Sequence, residues 1–122
     1  MTTPLHHLKA ELFKTLGHPV RIRVLELLSV REHSVAEMLP EVNVEASSLS
    51  QQLSLLRRSG LVTSRREGSA VFYALTSTQV AELLAAARGI LTSMLSDQAG
   101  LLTDLRAQYP DPVAPGRKRR VG

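Results

Sequence analysis

The sequence contains no cysteine and no tryptophan, and aromatic residues make up only 3% of it. Without cysteine there are no disulfides, no thiolate nucleophiles and no cysteine-rich zinc sites, and the lack fits a reducing compartment. With so few aromatics, the apolar 43% of the chain must build its core from Leu, Val, Ile and Ala. Such a core suits helix packing better than a large sandwich. No run approaches the roughly 18 apolar residues that a membrane span needs, and residues 1–9 lack the basic flank and apolar run of a signal peptide. These absences predict a cytoplasmic chain with no membrane partner.

Excess charge is also scarce. The formal net charge is +4, and the run Arg117-Lys118-Arg119-Arg120 accounts for it. Setting that run aside, 11 of the 15 basic residues remain, balanced by 11 acidic ones. Net charge therefore says little about partners, and position says more. Arg57, Arg58, Arg65 and Arg66 lie within ten residues that hold no acid, a local basic patch of the kind that meets phosphates.

The 122 residues suit one domain. A domain of this size buries a limited share of its surface, and obligate dimerisation is one remedy. Leu5, Leu8, Leu12 and Leu16, spaced three and four apart, mark a first helix, which Gly17-His18-Pro19 breaks. Pro19 suits the first turn of a second helix. There Val20, Val24, Leu27 and Leu28, widened by Ile22 and Leu25, form a broad buried stripe that places the helix centrally. Ser34 with Glu37 reads as a capping box for a short third helix, Val35 to Leu39, ending at Pro40. After a turn at 41–45, a fourth helix runs from Ala46 to Ser59, with Gly60 as a left-handed cap. Val62, Thr63, Val71, Phe72 and Tyr73 are strand formers around the turn residues Glu67-Gly68-Ser69. They predict a two-stranded hairpin with a polar tip at Arg65 to Ser69, while His33 reads as a loop residue.

Ser77 or Thr78 can cap a last helix. Val80, Leu84, Ala87, Leu91, Met94, Gln98, Leu101 and Leu105 give it a heptad-like seam, with Gly89 and Gly100 as weak points. Its apolar stripe exceeds what the small core can cover, so a second copy of the chain is the simplest partner. Pro110, Pro112 and Pro115 end the order. The organisation is one domain over 1–109 and a disordered basic tail over 110–122. The fold class is mainly α with a small β-hairpin, in the order α-α-α-α-β-β-α.

The third and fourth helices, joined by a short turn, have the form of a helix-turn-helix, whose second helix enters the major groove. On a helical wheel Leu49, Leu53 and Leu56 cluster on one side. Ser47, Gln51, Ser54 and Arg58 lie opposite, with Ser50 at the edge. Hydroxyls, an amide and a guanidinium suit base edges and phosphate oxygens, and Gln can pair bidentately with adenine. A merely solvated face would be expected to mix Glu and Lys, and a Ser/Gln face has poor helix propensity. Arg65 and Arg66 near the hairpin tip extend the surface towards DNA backbone; the other reading is that they guard a strand edge against aggregation.

Three motifs carry a resemblance. Residues 13–25, Phe-Lys-Thr-Leu-Gly-His-Pro-Val-Arg-Ile-Arg-Val-Leu, resemble the opening signature of the ArsR/SmtB family of bacterial regulators. Ser47-Ser48-Leu49-Ser50-Gln51-Gln52-Leu53 with Leu56-Arg57-Arg58-Ser59-Gly60-Leu61-Val62 is similar to its recognition helix. Arg65-Arg66-Glu67-Gly68 with Val71-Phe72-Tyr73 is similar to its wing. The match spans about residues 8–96. It implies a winged helix-turn-helix, double-stranded operator DNA as partner, and repression relieved by a ligand. It also implies a homodimer built on the first and last helices, here Leu5, Leu8, Leu12, Leu84, Ala87, Leu91 and Met94. The implied DNA contacts are Ser47, Ser48, Ser50, Gln51, Ser54, Arg57, Arg58, Arg65 and Arg66. The family often carries His or Arg in place of Gln51, or His in place of Gln52, a departure that bears on operator sequence.

Metal sites known in the family are missing their ligands. Where one places cysteines, this chain has Ser34 and Ala36, and residues 77–107 hold no histidine for the other. His6 and His7, with Glu11, are the remaining nickel or zinc candidates, although adjacent helical residues diverge. His18 belongs to the helix-break motif. No cofactor is required, and the effector is left open among a metal, a small molecule, a partner protein and none at all. An enzyme is not expected: there is no cysteine nucleophile, metal motif, glycine-rich phosphate loop or Ser-His-Asp set. The competing function is a protein-interaction module on the same fold.

Overall fold

The computed structural model describes residues 2–108; the expected tail at 110–122 lies outside them. Five helices and three short strands follow in the order α1 (Leu5–Leu16), α2 (Pro19–Val30), β1 (His33–Ser34), α3 (Val35–Val42), α4 (Ala46–Arg58), β2 (Val62–Glu67), β3 (Ala70–Leu75) and α5 (Thr78–Gln108).

Local chemistry explains most boundaries. Pro19 opens α2, and the His18 ring caps it, Nδ1 accepting from the Val20 amide at 3.2 Å. Ser34 and Glu37 form the capping box of α3. The Ser34 hydroxyl accepts from the Glu37 amide at 3.1 Å, and Glu37 Oε1 accepts from the Ser34 amide at 2.8 Å. Ser77 Oγ accepts from the Gln79 amide at 3.0 Å at the start of α5. Gly60 (φ +80) and Gly68 (φ +63) take left-handed backbone that a side chain would strain. Gly68 leads a two-residue turn between β2 and β3, where a positive φ at the first position alone marks a type II′ turn.

Three expectations need correction. Pro40 does not end α3, which continues to Val42 and stops at Asn43 in left-handed backbone. Proline removes one helical hydrogen bond, and the Asn43 amide still closes the last turn onto the Leu39 carbonyl at 3.2 Å. The hairpin is not alone: β1 pairs antiparallel with β3, His33 opposite Tyr73 and Ser34 opposite Phe72, giving a sheet of order β1-β3-β2. His33 is thus a buried strand residue rather than a loop residue, and its Nδ1 donates to the Arg31 carbonyl at 2.9 Å.

The chain divides into a compact unit up to Leu84 and a second unit from Ala85. In the first, Leu16, Val24, Leu25, Leu28, Met38, Leu49, Leu53, Leu56 and Val62 are buried together. Helix α2 is central, touching α1, α3, α4 and β3. Val80, Leu83 and Leu84, in the first turns of α5, pack half-buried against this core. In the second unit the helix runs unbroken through Gly89 and Gly100 to Gln108. Its large apolar residues stand in solvent, among them Leu91 (57% exposed), Met94 (52%), Leu101 and Leu105. No helix of the described residues is long and apolar enough to cross a membrane.

Candidate nucleic-acid interface

Helix α4 is held by one face. Leu49, Leu53 and Leu56 are fully buried, as the wheel reading of this helix expects, but Ser54, which the wheel sets opposite them, is half-buried. Residues half a turn away must then face out. Ser47, Ser50, Gln51, Arg57 and Arg58 are exposed, while Ser48 and Ser54 are half-buried at the flanks. No acid lies within α4 itself. Arg57 and Arg58 occupy its last turn, where cations oppose the negative end of the helix dipole. Arg57 also donates to the Ser64 hydroxyl of β2 at 3.3 Å, which ties helix to wing.

The wing separates two arginines that are neighbours in sequence. Successive strand residues point to opposite faces. Arg66, paired with Val71, shares a face with Ser64, the residue that meets α4. Arg65, paired with Phe72, is on the other face. Its guanidinium lies over the Phe72 ring, 4.7 Å from the centroid, and reaches across the middle strand to Glu32, with Nε 3.3 Å from Oε2 and Nη2 on Oε1. Glu67 stands 3.4 Å from the same guanidinium. Arg65 is therefore not at the hairpin tip. It lies three positions before Gly68, and its hydrogen-bonding edge is occupied by carboxylates.

These contacts set the local ionisation. The hydrogen bond from Arg65 holds the Glu32 carboxyl below its ordinary value, and Glu32 in turn raises Arg65. Glu37 is held low chiefly by the Ser34 amide and then by Arg31.

One contact that positions α4 is not legible in the sequence pattern. Arg21 of α2 donates from Nε to the Thr15 carbonyl at 2.7 Å and from Nη1 to Gln52 Oε1 at 3.0 Å. It thereby joins the end of α1 to α4. Pro19, which cannot donate to Thr15, is the one signal that could have pointed to it.

For metals the arrangement offers little. Among the described residues no three His, Cys, Asp or Glu side chains come together. His6 and His7 stack edge to face with centroids 4.5 Å apart at the exposed start of α1.

A polar helix presented by a buried leucine face, preceded by a capped short helix and followed by a basic hairpin, defines a winged helix-turn-helix DNA-binding protein. A family model described as a helix-turn-helix domain matches residues 16–65. The chain is 55% identical over 105 residues to Rv0081, an uncharacterized HTH-type transcriptional regulator of Mycobacterium tuberculosis, covering 85% of this chain and 92% of that one. The crystal structure of Rv0081 superposes with a TM-score of 0.73 over 80% of this chain and 99% of the other, at 54% identity. The chain belongs to the ArsR/SmtB family of transcriptional regulators. The transcriptional repressor BigR from Xylella fastidiosa matches with a TM-score of 0.66 and 40% identity, over 70% of this chain and 87% of its own. A homodimeric winged helix-turn-helix DNA-binding domain from Mycobacterium bovis, described as a possible ArsR-family regulator, matches with a TM-score of 0.68 and 28% identity, over 76% and 86%.

Proposed function

We propose that this regulator works as a homodimer that sets two copies of α4 into successive major grooves of a pseudo-palindromic operator and represses transcription there. The observation that carries the reading is the outward face of α4. Ser47, Ser50, Gln51 and Arg58 are exposed on a helix whose opposite face is locked by Leu49, Leu53 and Leu56. Hydroxyls and an amide on a rigid helix are suited to base edges. In this reading Gln51 and Ser50 read bases, while Ser47, Ser48, Ser54, Arg57, Arg58 and Arg66 position the backbone. Arg65 contributes through wing placement, since Glu32 occupies it.

Apolar residues left in solvent support the dimer. Leu5 (65% exposed) and Leu8 (53%) lie on α1, and Leu91 and Met94 recur on the last helix. Leu12 lines a 270 Å³ apolar groove with Leu16, Leu61, Val80 and Leu83. Leu5, Leu8, Leu12, Leu84, Ala87, Leu91 and Met94 form the interface we assign. The homodimeric state of the M. bovis neighbour and the repressor role of BigR point the same way. The reading requires no cofactor, and an effector is a separate question. Nickel or zinc at His6 and His7, a small molecule and a partner protein are the classes to test. Residues 1–109 serve as the DNA-binding and dimerisation domain, and the activity is regulatory rather than enzymatic. A second reading is a protein-interaction module, favoured by the exposed Leu101, Leu102 and Leu105.

Binding to the chain's own promoter region, followed by fluorescence anisotropy across a salt series, tests the proposal. Half-sites should lie about one helical turn apart or a multiple of it, with affinity falling steeply as salt rises. No binding at low salt favours the interaction module. A reporter fused to that promoter should rise when the regulator is deleted.

A further inference from the structure

Helix α1 is gripped at one end. Residues 5–11 are exposed, Leu12 and Thr15 are half-buried, and Leu16 is the one buried residue of the helix. α1 packs against α2, and α2 packs against α4. Beside that path a 320 Å³ cleft opens between Leu8, Glu11 and Leu12 of α1 and Ser59 and Leu61 at the end of α4. The angle of α1 on the body therefore depends on how its last turn is tied.

Arg21 is that tie. Thr15 O would accept from the amide four residues on, but that residue is Pro19, which has no N–H. The Arg21 guanidinium takes its place, Nε to Thr15 O at 2.7 Å, and Nη1 reaches Gln52 Oε1 of α4 at 3.0 Å. A planar guanidinium presents its donors in a fixed fork, so one rigid group links α1, α2 and α4. Arg21 and Gln52 are both half-buried, where water competes less with the bonds.

The consequence rests on the homodimer reading given above, with α1 in the two-fold interface and α4 in the groove. The separation and twist of the two α4 copies then depend on the angle between α1 and α4 within each chain. One base pair changes the distance between half-sites by about 3.4 Å and about a tenth of a turn. A strut that fixes the angle between α1 and α4 thus selects a spacing. We propose that Arg21 is a positioning residue for operator spacing, anchored on Thr15 and Gln52, which restricts the dimer to one separation between half-sites.

The test uses the full-length protein and the duplex that wild type selects from a randomised library. That duplex is remade with one to three base pairs added or removed between the half-sites, and as a single half-site. Affinity for each spacing is divided by affinity for the single half-site, which removes any direct effect of a substitution on base or phosphate contacts. For wild type this ratio should peak sharply at one spacing. In Gln52→Met the strut loses its anchor on α4 while Arg21 keeps Thr15, and the penalty for one base pair of mis-spacing should shrink roughly fivefold, the scale of one lost hydrogen bond. Arg21→Lys should flatten the profile likewise, because an ammonium lacks the fork that reaches both acceptors. Gln52→Glu, whose carboxylate still accepts from Arg21, should keep the sharp peak. A residue that only stabilised the fold would shift the thermal midpoint and leave the spacing profile intact. Gln52→Met with the wild-type profile overturns the assignment, whether or not Arg21→Lys folds; so does a Gln52→Glu profile as flat as that of Gln52→Met. Wild type that binds two half-sites no more tightly than one at every spacing overturns the homodimer reading itself, so the two failures are distinguishable.

Discussion

Glu32 and Arg65, 33 residues apart in the chain, are joined across the face of the sheet. The strands they flank or occupy, β1 and β2, are the two edges, and β3 runs between them. Phe72 of β3 supplies the floor over which the guanidinium passes. The arginine thus straps the wing to the corner that leads into α3, while Arg66 faces the α4 side. The prediction is a split between neighbours. Arg66→Ala should weaken all duplexes alike and reduce the slope of log K against log salt by about 1, as for loss of one phosphate contact. Arg65→Ala should leave that slope near wild type. Anisotropy titrations at several salt concentrations measure both.

Acid should loosen this strap and the α3 cap together. Glu32 and Glu37 both have folded pKa values lowered from the usual 4.5. A lowered folded value means the stabilisation is fully present above the unfolded value and is lost as pH falls through the folded one. The thermal midpoint should therefore decline from just above 4.5 downwards, and Glu32→Gln and Glu37→Gln should each flatten the decline. Salt should shrink the Glu32 effect more, because its main partner is an exposed arginine. The main partner of Glu37 is a backbone amide.

Loss of the cap itself is measurable at neutral pH. Ser34 is buried, and its hydroxyl accepts from the Glu37 amide. Ser34→Ala should cost about 1 kcal/mol in urea unfolding. Ser34→Asp, which keeps an acceptor at the cap, should recover part of it.

Where a feature is decided within a few residues, it was readable. Pro19 at the start of α2, the Ser34–Glu37 box, Gly60 and the leucine face of α4 all depend on neighbours in sequence. Features decided by distant residues were not. β1 has two residues, too few for any periodicity, and exists only because β3 lies beside it. Pro40 looked like a terminator because its lost hydrogen bond is local, whereas the Asn43 backbone that closes the helix is a separate choice. Arg65 and Arg66 differ by strand register alone, which places one against Glu32 and the other on the α4 side. The Arg21–Gln52 contact needed the packing of α2 on α4 before it could be seen.

Helix α4 should separate stability from specificity by face. Leu53 is 1% exposed, so Leu53→Ala should cost about 2–5 kcal/mol and abolish binding by unfolding the helix support. Gln51→Ala touches only the exposed face. It should leave the unfolding midpoint within about 0.5 kcal/mol of wild type and relax base preference at one position. Unfolding curves paired with library selection check both, and unchanged preference in Gln51→Ala would exclude it as a base reader.

The apolar residues left in solvent should be covered by a second copy. An isolated chain would hold Leu91 and Met94 more than half exposed, along with Leu5 and Leu8. That is a cost the chain can recover by association, because apolar burial scales with area removed from water. A stable homodimer should appear in light scattering, and its thermal midpoint should rise with protein concentration, since association couples to folding. Leu91→Glu with Met94→Glu places charges in the seam and should give a monomer that binds DNA much more weakly, because half-sites are no longer read together. Single-half-site duplexes should be affected far less by the same pair of substitutions. A wild-type chain that stays monomeric at all concentrations while still binding a two-half-site operator tightly would remove α1 and the last helix from the interface.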